Sequence, residues 1–228
     1  MKKTARSSLK THRPWACAAT LCAVLIAGCS ALTPTASPKP ATFYALDDSG
    51  VRTPSAAPRP ATPGAYTLIV NETQAAAGYD SQRLIYLRLP HKLEYFAHSE
   101  WVDPPSRMIS SLIVGSLERS GVFRAVVSAP GSASGELRLE TEVLLLQQEF
   151  SALPSQVRFV LRAYIAEDGT RRVLATRDFE ALVPAPSEDP YGGVRAANMA
   201  VRQVLDDLTA FCAQTVATWQ PRRKPGAR

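Results

Sequence analysis

Hydrophobic and polar residues alternate along several stretches of the chain, and this two-residue period is typical of β-strands. The clearest stretch runs from Glu136 to Leu146, and its residues expected to face a core are Leu137, Leu139, Thr141, Val143 and Leu145. The same period recurs over residues 156–165 and, after the turn signal Asp168-Gly169, over residues 171–183. These segments predict three consecutive antiparallel strands with one buried face.

Two other segments carry the three- and four-residue hydrophobic spacing of an amphipathic helix. The first follows Asp103-Pro104-Pro105, whose aspartate is expected to cap the helix, and Gly121 suits its C-terminal end. The second follows Asp189-Pro190 and ends near Val216. Shorter strands are predicted at 43–46, 65–73, 83–89, 93–96 and 122–128. The order of these elements predicts an α+β fold, a single domain whose mostly antiparallel sheet is covered on one face by two main helices.

The N-terminus has the charge and hydropathy pattern of a secretion signal. Basic residues precede an apolar stretch from Trp15 to Ala27 that is too short to span a bilayer comfortably. The stretch ends in Ile26-Ala27-Gly28-Cys29, which resembles the bacterial lipobox, in which the cysteine sulfur carries a diacylglycerol and the new amino group is acylated. We therefore expect a lipoprotein signal peptide at 1–28 and lipidation at Cys29. An ordinary signal peptide with an incidental cysteine is the alternative.

The residues after the cleavage site predict a tether followed by one domain. Ser30 stands where inner-membrane retention would usually show aspartate, so the sorting rule of such lipoproteins points to the periplasmic face of the outer membrane. Residues 29–42 are rich in Pro, Ala, Ser and Thr without periodicity, which is typical of a flexible linker. The predicted domain occupies residues 43–218, and residues 219–228 are expected to form a basic, disordered tail.

Charge and cysteine content narrow the function classes. Formal net charge is +6, but five of the 26 basic residues precede the expected cleavage site, which leaves 21 basic against 20 acidic residues. A chain whose charges are so nearly balanced gives no case for binding nucleic acid.

Cys212 would be the only thiol left beside the lipidated cysteine, so no intramolecular disulfide is expected. Its place on the apolar side of the second helix predicts a small core residue.

The sequence offers no recognised catalytic or cofactor motif. His91 and His98, with Glu94 between them, could be imagined as metal ligands. In a strand, however, positions 91 and 98 face opposite sides, and neither belongs to a recognised zinc spacing. We therefore predict no catalytic residue, no metal and no cofactor, and the protein is not expected to be an enzyme. A periplasmic hydrolase with an unrecognised site remains the alternative.

Aromatic residues are densest between the predicted strands and the first helix. They are Tyr79, Tyr86, Tyr95, Phe96 and Trp101, and they suit either hairpin packing or a docking surface. Arg107 lies in the first helical turn, where a cation opposes the helix dipole, which indicates a partner for it. That partner is either an internal carboxylate such as Asp103 or a group on another protein. Tyr95, Trp101 and Arg107 are the predicted partner-binding residues.

The same segment carries a family resemblance. The order of several residues in this segment resembles that of the ABC-type transport auxiliary lipoproteins. These residues are Gly78, Tyr95-Phe96, Trp101-Val102-Asp103-Pro104-Pro105 and Arg107-Met108. The resemblance extends from Phe43-Tyr44-Ala45-Leu46 to the helix ending near Val216.

This resemblance implies a non-catalytic, outer-membrane-anchored subunit of an MCE-type transport system that moves lipids or other hydrophobic molecules between the two membranes. The implied partners are an MCE-domain protein and an ABC permease and ATPase, because this chain has no nucleotide site of its own. The family also permits a homo-oligomer. A lipoprotein that scaffolds envelope assembly without a transport role is the alternative.

Overall fold

The computed structural model describes residues 39–47, 66–131 and 134–220, and the described residues from Pro40 onwards form one compact unit. Within the described residues there are two helices, α1 (Pro105–Ser120) and α2 (Pro190–Thr218). The strands of the same residues are β1 (Thr42–Tyr44), β2 (Thr67–Val70), β3 (Gln74–Ala75), β4 (Arg83–Leu87), β5 (Leu93–Trp101), β6 (Ala125–Ser128), β7 (Leu137–Glu149), β8 (Gln156–Glu167) and β9 (Val173–Pro184). The predicted α+β fold is confirmed. The predicted signal peptide and most of the basic tail lie outside this description.

All of these strands belong to one mixed sheet organised around β7. Strands β7, β8 and β9 form the long antiparallel meander that the alternation predicts, and β4 and β5 form a second antiparallel pair. The other edge of β7 pairs in parallel with β2, β3 and β4 in turn. Strand β6 then joins β2 in parallel, and β1 joins β5 in parallel. The longest strand pairings are therefore antiparallel, and the parallel pairings that join the other strands to the sheet are short.

The two helices cover one face of the sheet, and the core lies beneath them. Helix α1 buries Ile109, Ile113 and Leu117, and α2 buries an apolar stripe from Val194 to Cys212. The strands meet them with fully buried side chains that include Leu68, Leu137, Leu139, Val143, Phe159, Leu161 and Ile165. No helix in the described part of the chain is both long and apolar enough to cross a membrane.

The aspartate of an Asp-Pro motif caps one of the two helices but not the other. The Asp189 carboxylate accepts a 2.7 Å hydrogen bond from the Gly192 N–H, so it caps α2 as predicted. That bond, with a second from the Ser187 hydroxyl, holds the Asp189 pKa below its usual value. At α1 the prediction is wrong, because Pro104 occupies the cap position and no side chain caps the helix. Helix α1 begins at Pro105, which is one residue too late for Asp103 to be its cap. Gly121 ends α1 in the left-handed conformation, with φ 67°, as predicted.

Several strand predictions need correction, since the predicted strand 65–73 shortens to β2, 93–96 extends to Trp101 in β5, and 122–128 begins only at Ala125 in β6. Strand β4 ends at Leu87, so Leu89 lies beyond the strand, and 61% of its surface is exposed. In β7 the pairing register shifts between Val143 and Leu145, as at a β-bulge. Because the bulge adds one residue, Leu146 and not Leu145 enters the core.

Candidate functional site

The aromatic segment singled out in the sequence forms the β4–β5 hairpin at one end of the sheet. Leu87 faces Leu93 at the hairpin end, and residues 88–92 connect the two strands. Strand β7 ends beside it, because the Phe150 N–H donates a 2.8 Å hydrogen bond to the Leu87 carbonyl oxygen. The β4–β5 and β7–β8 connections therefore leave the sheet side by side.

A charged cluster holds the hairpin connection. The Arg88 guanidinium donates to both oxygens of Glu94 at 2.6 and 2.8 Å, and the Lys92 ammonium lies 3.3 Å from the same carboxylate. The hydrogen bond from Arg88 lowers the pKa of Glu94 to about 2. Both cations are mostly exposed, so solvent screens the two ion pairs. These pairs therefore orient the hairpin connection more than they stabilise the domain.

Two of the five aromatic residues, Tyr86 and Phe96, pack on one another within the hairpin. The Tyr86 ring centroid lies 4.5 Å from that of Phe96 and 5.7 Å from that of Phe150. The Arg88 guanidinium lies 5.6 Å from the Tyr86 ring on the same cluster. Phe150 was not predicted to belong here, because only the parallel β4–β7 pairing brings residues so distant in sequence together.

Two tyrosines lie apart from this cluster. Tyr95 keeps 39% of its surface exposed, and the Arg83 guanidinium sits 4.7 Å from its ring centroid. The Tyr79 hydroxyl donates a 2.6 Å hydrogen bond to the Gln147 side-chain oxygen. Burial, and then the nearby Glu149 carboxylate, raise the pKa of Tyr79, so this hydroxyl stays protonated and acts as a donor.

The structure does not bring the three predicted partner-binding residues together. Trp101 is 4% exposed and packs in the core, so its ring is not a surface contact in this fold. Trp101 lies at the far end of β5, six positions after Tyr95, and the register against β4 shows a bulge between the two residues. Arg107 lies next to that far end, at the start of α1. Of the three residues, only Tyr95 and Arg107 are therefore exposed to a partner.

Arg107 has the internal partner that was one of its two predicted alternatives. One guanidinium nitrogen lies 3.5 Å from the carboxylate of Asp103, four residues earlier in the chain. Both side chains are largely exposed, and such pairs contribute about 0.5 kcal/mol or less. The pair leaves most of the guanidinium accessible to another protein.

The predicted lipidation site, Cys29, lies outside the described residues. Cys212 is fully buried in α2, and burial raises the pKa of its thiol to about 12. A thiol in that state is a small apolar core group, as predicted. The described residues contain no group of three or more His, Cys, Asp or Glu side chains placed to hold a metal ion. His98 is exposed on β5, and His91 lies in the hairpin connection with φ 65°.

Two concave surfaces were not predicted from the sequence. A groove of about 470 Å³ runs between α1 and α2, where the Ser116 and Thr209 hydroxyls lie 3.1 Å apart. A polar depression of about 500 Å³ lies on the strands at Glu140, Glu142 and Tyr164, and the Tyr164 hydroxyl donates to Glu140. Neither could be read from sequence periodicity, because each depends on how distant elements meet.

Comparison with known proteins adds a family match over most of the chain. The family model described as "ABC-type transport auxiliary lipoprotein component" matches residues 44–209. A DUF330 protein from Xanthomonas campestris is 25% identical over 77% of this chain and 96% of its own, with a TM-score of 0.66. A second crystal structure, of an uncharacterized protein, is 12% identical over 77% of this chain and 98% of its own, with a TM-score of 0.56, and shares the fold. No curated protein matches the chain.

Proposed function

Because this chain belongs to the ABC-type transport auxiliary lipoprotein family, we propose that it is the outer-membrane-anchored periplasmic lipoprotein of an MCE-type transport system. Its cargo would be lipids or other hydrophobic molecules that move between the two membranes. An MCE-domain protein and an ABC permease and ATPase would be its partners, and ATP would be hydrolysed by the ATPase. The chain itself would tether and complete the periplasmic conduit without catalysing a reaction.

The observation that carries this proposal is the extent of the family match. It begins at Tyr44 in β1 and ends at Thr209 in α2, so it includes the central sheet, all of α1 and most of α2. A match of this extent concerns the whole fold and not one motif. The lipobox-like Ile26-Ala27-Gly28-Cys29 and the linker after it support the membrane tether. Ser30 supports the outer membrane as its location.

We predict that the mature protein begins at an acylated Cys29. Several acyl chains on one residue exceed the two anchoring signals that stable membrane attachment requires, so the protein should fractionate with membranes. Intact-protein mass spectrometry of the membrane fraction should find a lipid-modified chain that starts at this residue, and Cys29→Ala should abolish the modification. A mature N-terminus elsewhere, with an unmodified Cys29, would contradict the anchor.

The transport role predicts a specific set of captured partners. Affinity purification of the tagged, membrane-extracted protein should recover an MCE-domain protein together with an ABC permease and ATPase. Recovery of envelope-assembly proteins without these components would instead support the scaffold alternative.

The same capture experiment tests Tyr95 and Arg107 as contact residues. Truncation of a docking aromatic typically weakens binding by about 2 kcal/mol or more, so Tyr95→Ala or Arg107→Ala should reduce partner recovery. The melting temperature should barely move for Arg107→Ala, because the Asp103 pair is exposed. Arg172→Ala is the matched control, since it removes another exposed arginine that forms an ion pair, with Glu167, at the β8–β9 turn. Equal recovery for all three variants would exclude both residues as contacts.

A further inference from the structure

Two connections at one end of the sheet each expose a leucine that a proline follows. In the β4–β5 connection Leu89 is 61% exposed, and in the β7–β8 connection Leu153 is 82% exposed. Leu93, at the start of β5, adds a third partly exposed leucine beside them. The parallel pairing of Leu87 with Glu149 places the two connections next to each other. We call Leu89, Leu93 and Leu153 the leucine end.

The opposite end of the sheet has a different composition. The β8–β9 turn there is Asp168-Gly169-Thr170-Arg171-Arg172 and contains no apolar side chain. Its polar groups are partly satisfied locally, since the Thr170 hydroxyl donates to Glu167 at the end of β8 and accepts from the Arg172 N–H. Connections at a protein surface in water are normally polar like this one. One exposed apolar residue, Val173 with 53% exposure, follows this turn at the start of β9, whereas Leu89, Leu93 and Leu153 lie together at the other end of β8 and present the larger apolar surface.

The charged groups at the leucine end suit an interface between apolar and aqueous phases. Arg88 and Lys92 flank Leu89 and share the Glu94 carboxylate, so their long side chains are directed beside the leucines. The other carboxylates nearby are engaged, because Glu149 accepts from the Gln147 amide and Glu188 accepts from the Ser155 N–H. These two cations and three carboxylates sum to a charge of −1, so apolar contact and not net positive charge must drive any association with a bilayer.

The chain between Cys29 and β1 is long enough for the leucine end to reach the bilayer that would hold the predicted anchor. Strand β1 runs parallel to β5, with Thr42 opposite Ser99, so the polypeptide enters β1 from the direction in which β5 begins. Ser99 lies six residues beyond Leu93, but β5 bulges between Tyr95, opposite Ile85, and Glu100, opposite Arg83, so the path is shorter than the roughly 20 Å of six extended residues. Cys29 precedes Thr42 by thirteen residues, which span at most about 45 Å when extended. A bilayer holding a lipid on Cys29 is therefore within reach of the leucine end.

We propose that the leucine end is a membrane-contact surface that inserts into the headgroup region of the phospholipid bilayer carrying the anchor. Leu89, Leu93 and Leu153 contact the upper acyl chains, while Arg88 and Lys92 extend their charged groups to the lipid phosphates. The contact orients the domain with β7 and β8 directed away from the bilayer and the β8–β9 turn in the periplasm. This inference rests on the proposed lipid anchor.

The test measures the depth of single nitroxide labels in the full-length, lipidated protein reconstituted into phosphatidylethanolamine–phosphatidylglycerol vesicles. Labels are attached at Leu89→Cys and Leu153→Cys, with Gly169→Cys in the β8–β9 turn as the matched control, because a side chain there meets open space. Cys212 stays unlabelled because it is buried and its thiol pKa is raised. All three positions are exposed, so the variants should melt like the parent protein. Power saturation by oxygen and by a water-soluble nickel chelate reports the depth of each label.

Labels at 89 and 153 should be accessible to oxygen and shielded from the nickel chelate, with a ratio of collision rates several-fold above that at 169. Equal chelate access at all three positions would overturn the membrane contact while leaving the anchor intact. Shielding of 89 and 153 from both reagents would also overturn it, because protein and not lipid would then cover the leucines. If the parent protein fails to float with the vesicles, the anchor itself is wrong and the contact falls with it.

Discussion

Replacing Phe159 with alanine is expected to lower the free energy of unfolding by about 3–5 kcal/mol. Phe159 is fully buried in β8, opposite Leu146 on β7 and Ala181 on β9, beneath the helix layer. Removing its ring loses apolar burial and leaves a cavity that the two neighbouring ladders prevent from collapsing. In a domain of this size the melting temperature should fall by on the order of 10 °C. Thermal and denaturant unfolding of the purified protein check this value.

The matched control is Phe43→Ala. Phe43 lies on the short edge strand β1 and keeps 57% of its surface exposed, so its removal should change stability by about 0.5 kcal/mol or less. A large loss at Phe43 with a small one at Phe159 would show that the two helices do not cover the meander as described.

Gly192→Ala is expected to destabilise the protein by about 1–3 kcal/mol, although alanine is the better helix former. Gly192 lies in the first turn of α2, where its N–H donates to the Asp189 cap. A Cβ at this position would overlap the backbone carbonyl oxygen of Ser187, which cannot move aside as a flexible side chain can. The loop before α2 must therefore shift, and the cap with it. Equilibrium denaturation of the variant measures the cost.

Gly115→Ala in α1 supplies the comparison with the opposite sign. The atom nearest to a Cβ there is a guanidinium nitrogen of Arg119 at 3.1 Å, the far end of a flexible side chain. With that side chain displaced, the helix propensity of alanine should dominate, and stability should stay constant or rise by up to about 1 kcal/mol. If Gly192→Ala proves as stable as Gly115→Ala, the close approach of Ser187 to α2 is not a constraint.

The predictions that succeeded rest on local periodicity. The alternation of β7, β8 and β9 and the helical spacing of α1 and α2 follow from burying one face of each element, whatever its neighbours are. The same reasoning failed where a bulge adds one residue to a strand and where the helix cap is one residue away from its predicted position. The bulge after Val143 exchanged Leu145 for Leu146, and Pro104 took the position predicted for Asp103. Both errors concern a shift of one residue, which periodicity alone does not resolve.

In the candidate site too, local sequence predicted some features and only the tertiary structure decided others. The sequence located the aromatic segment, and its order of residues led to the correct family. It could not tell a buried aromatic from an exposed one, since Trp101 and Tyr95 lie on the same strand with 4% and 39% exposure. That difference depends on α1 and β1 covering one end of β5 and leaving the other open.

The sequence by itself determined the fold class, the two helices, the antiparallel meander and the core position of Cys212, because each depends on contacts close in the chain or on hydrophobicity alone. Only the tertiary structure decided the parallel pairing of β7 with β2, β3 and β4. It also decided that Phe150 packs on Tyr86 and that Leu89 and Leu153 emerge at one end of the sheet. Parallel neighbours are joined by long connections, and no local period in the chain records which strand the connection returns to.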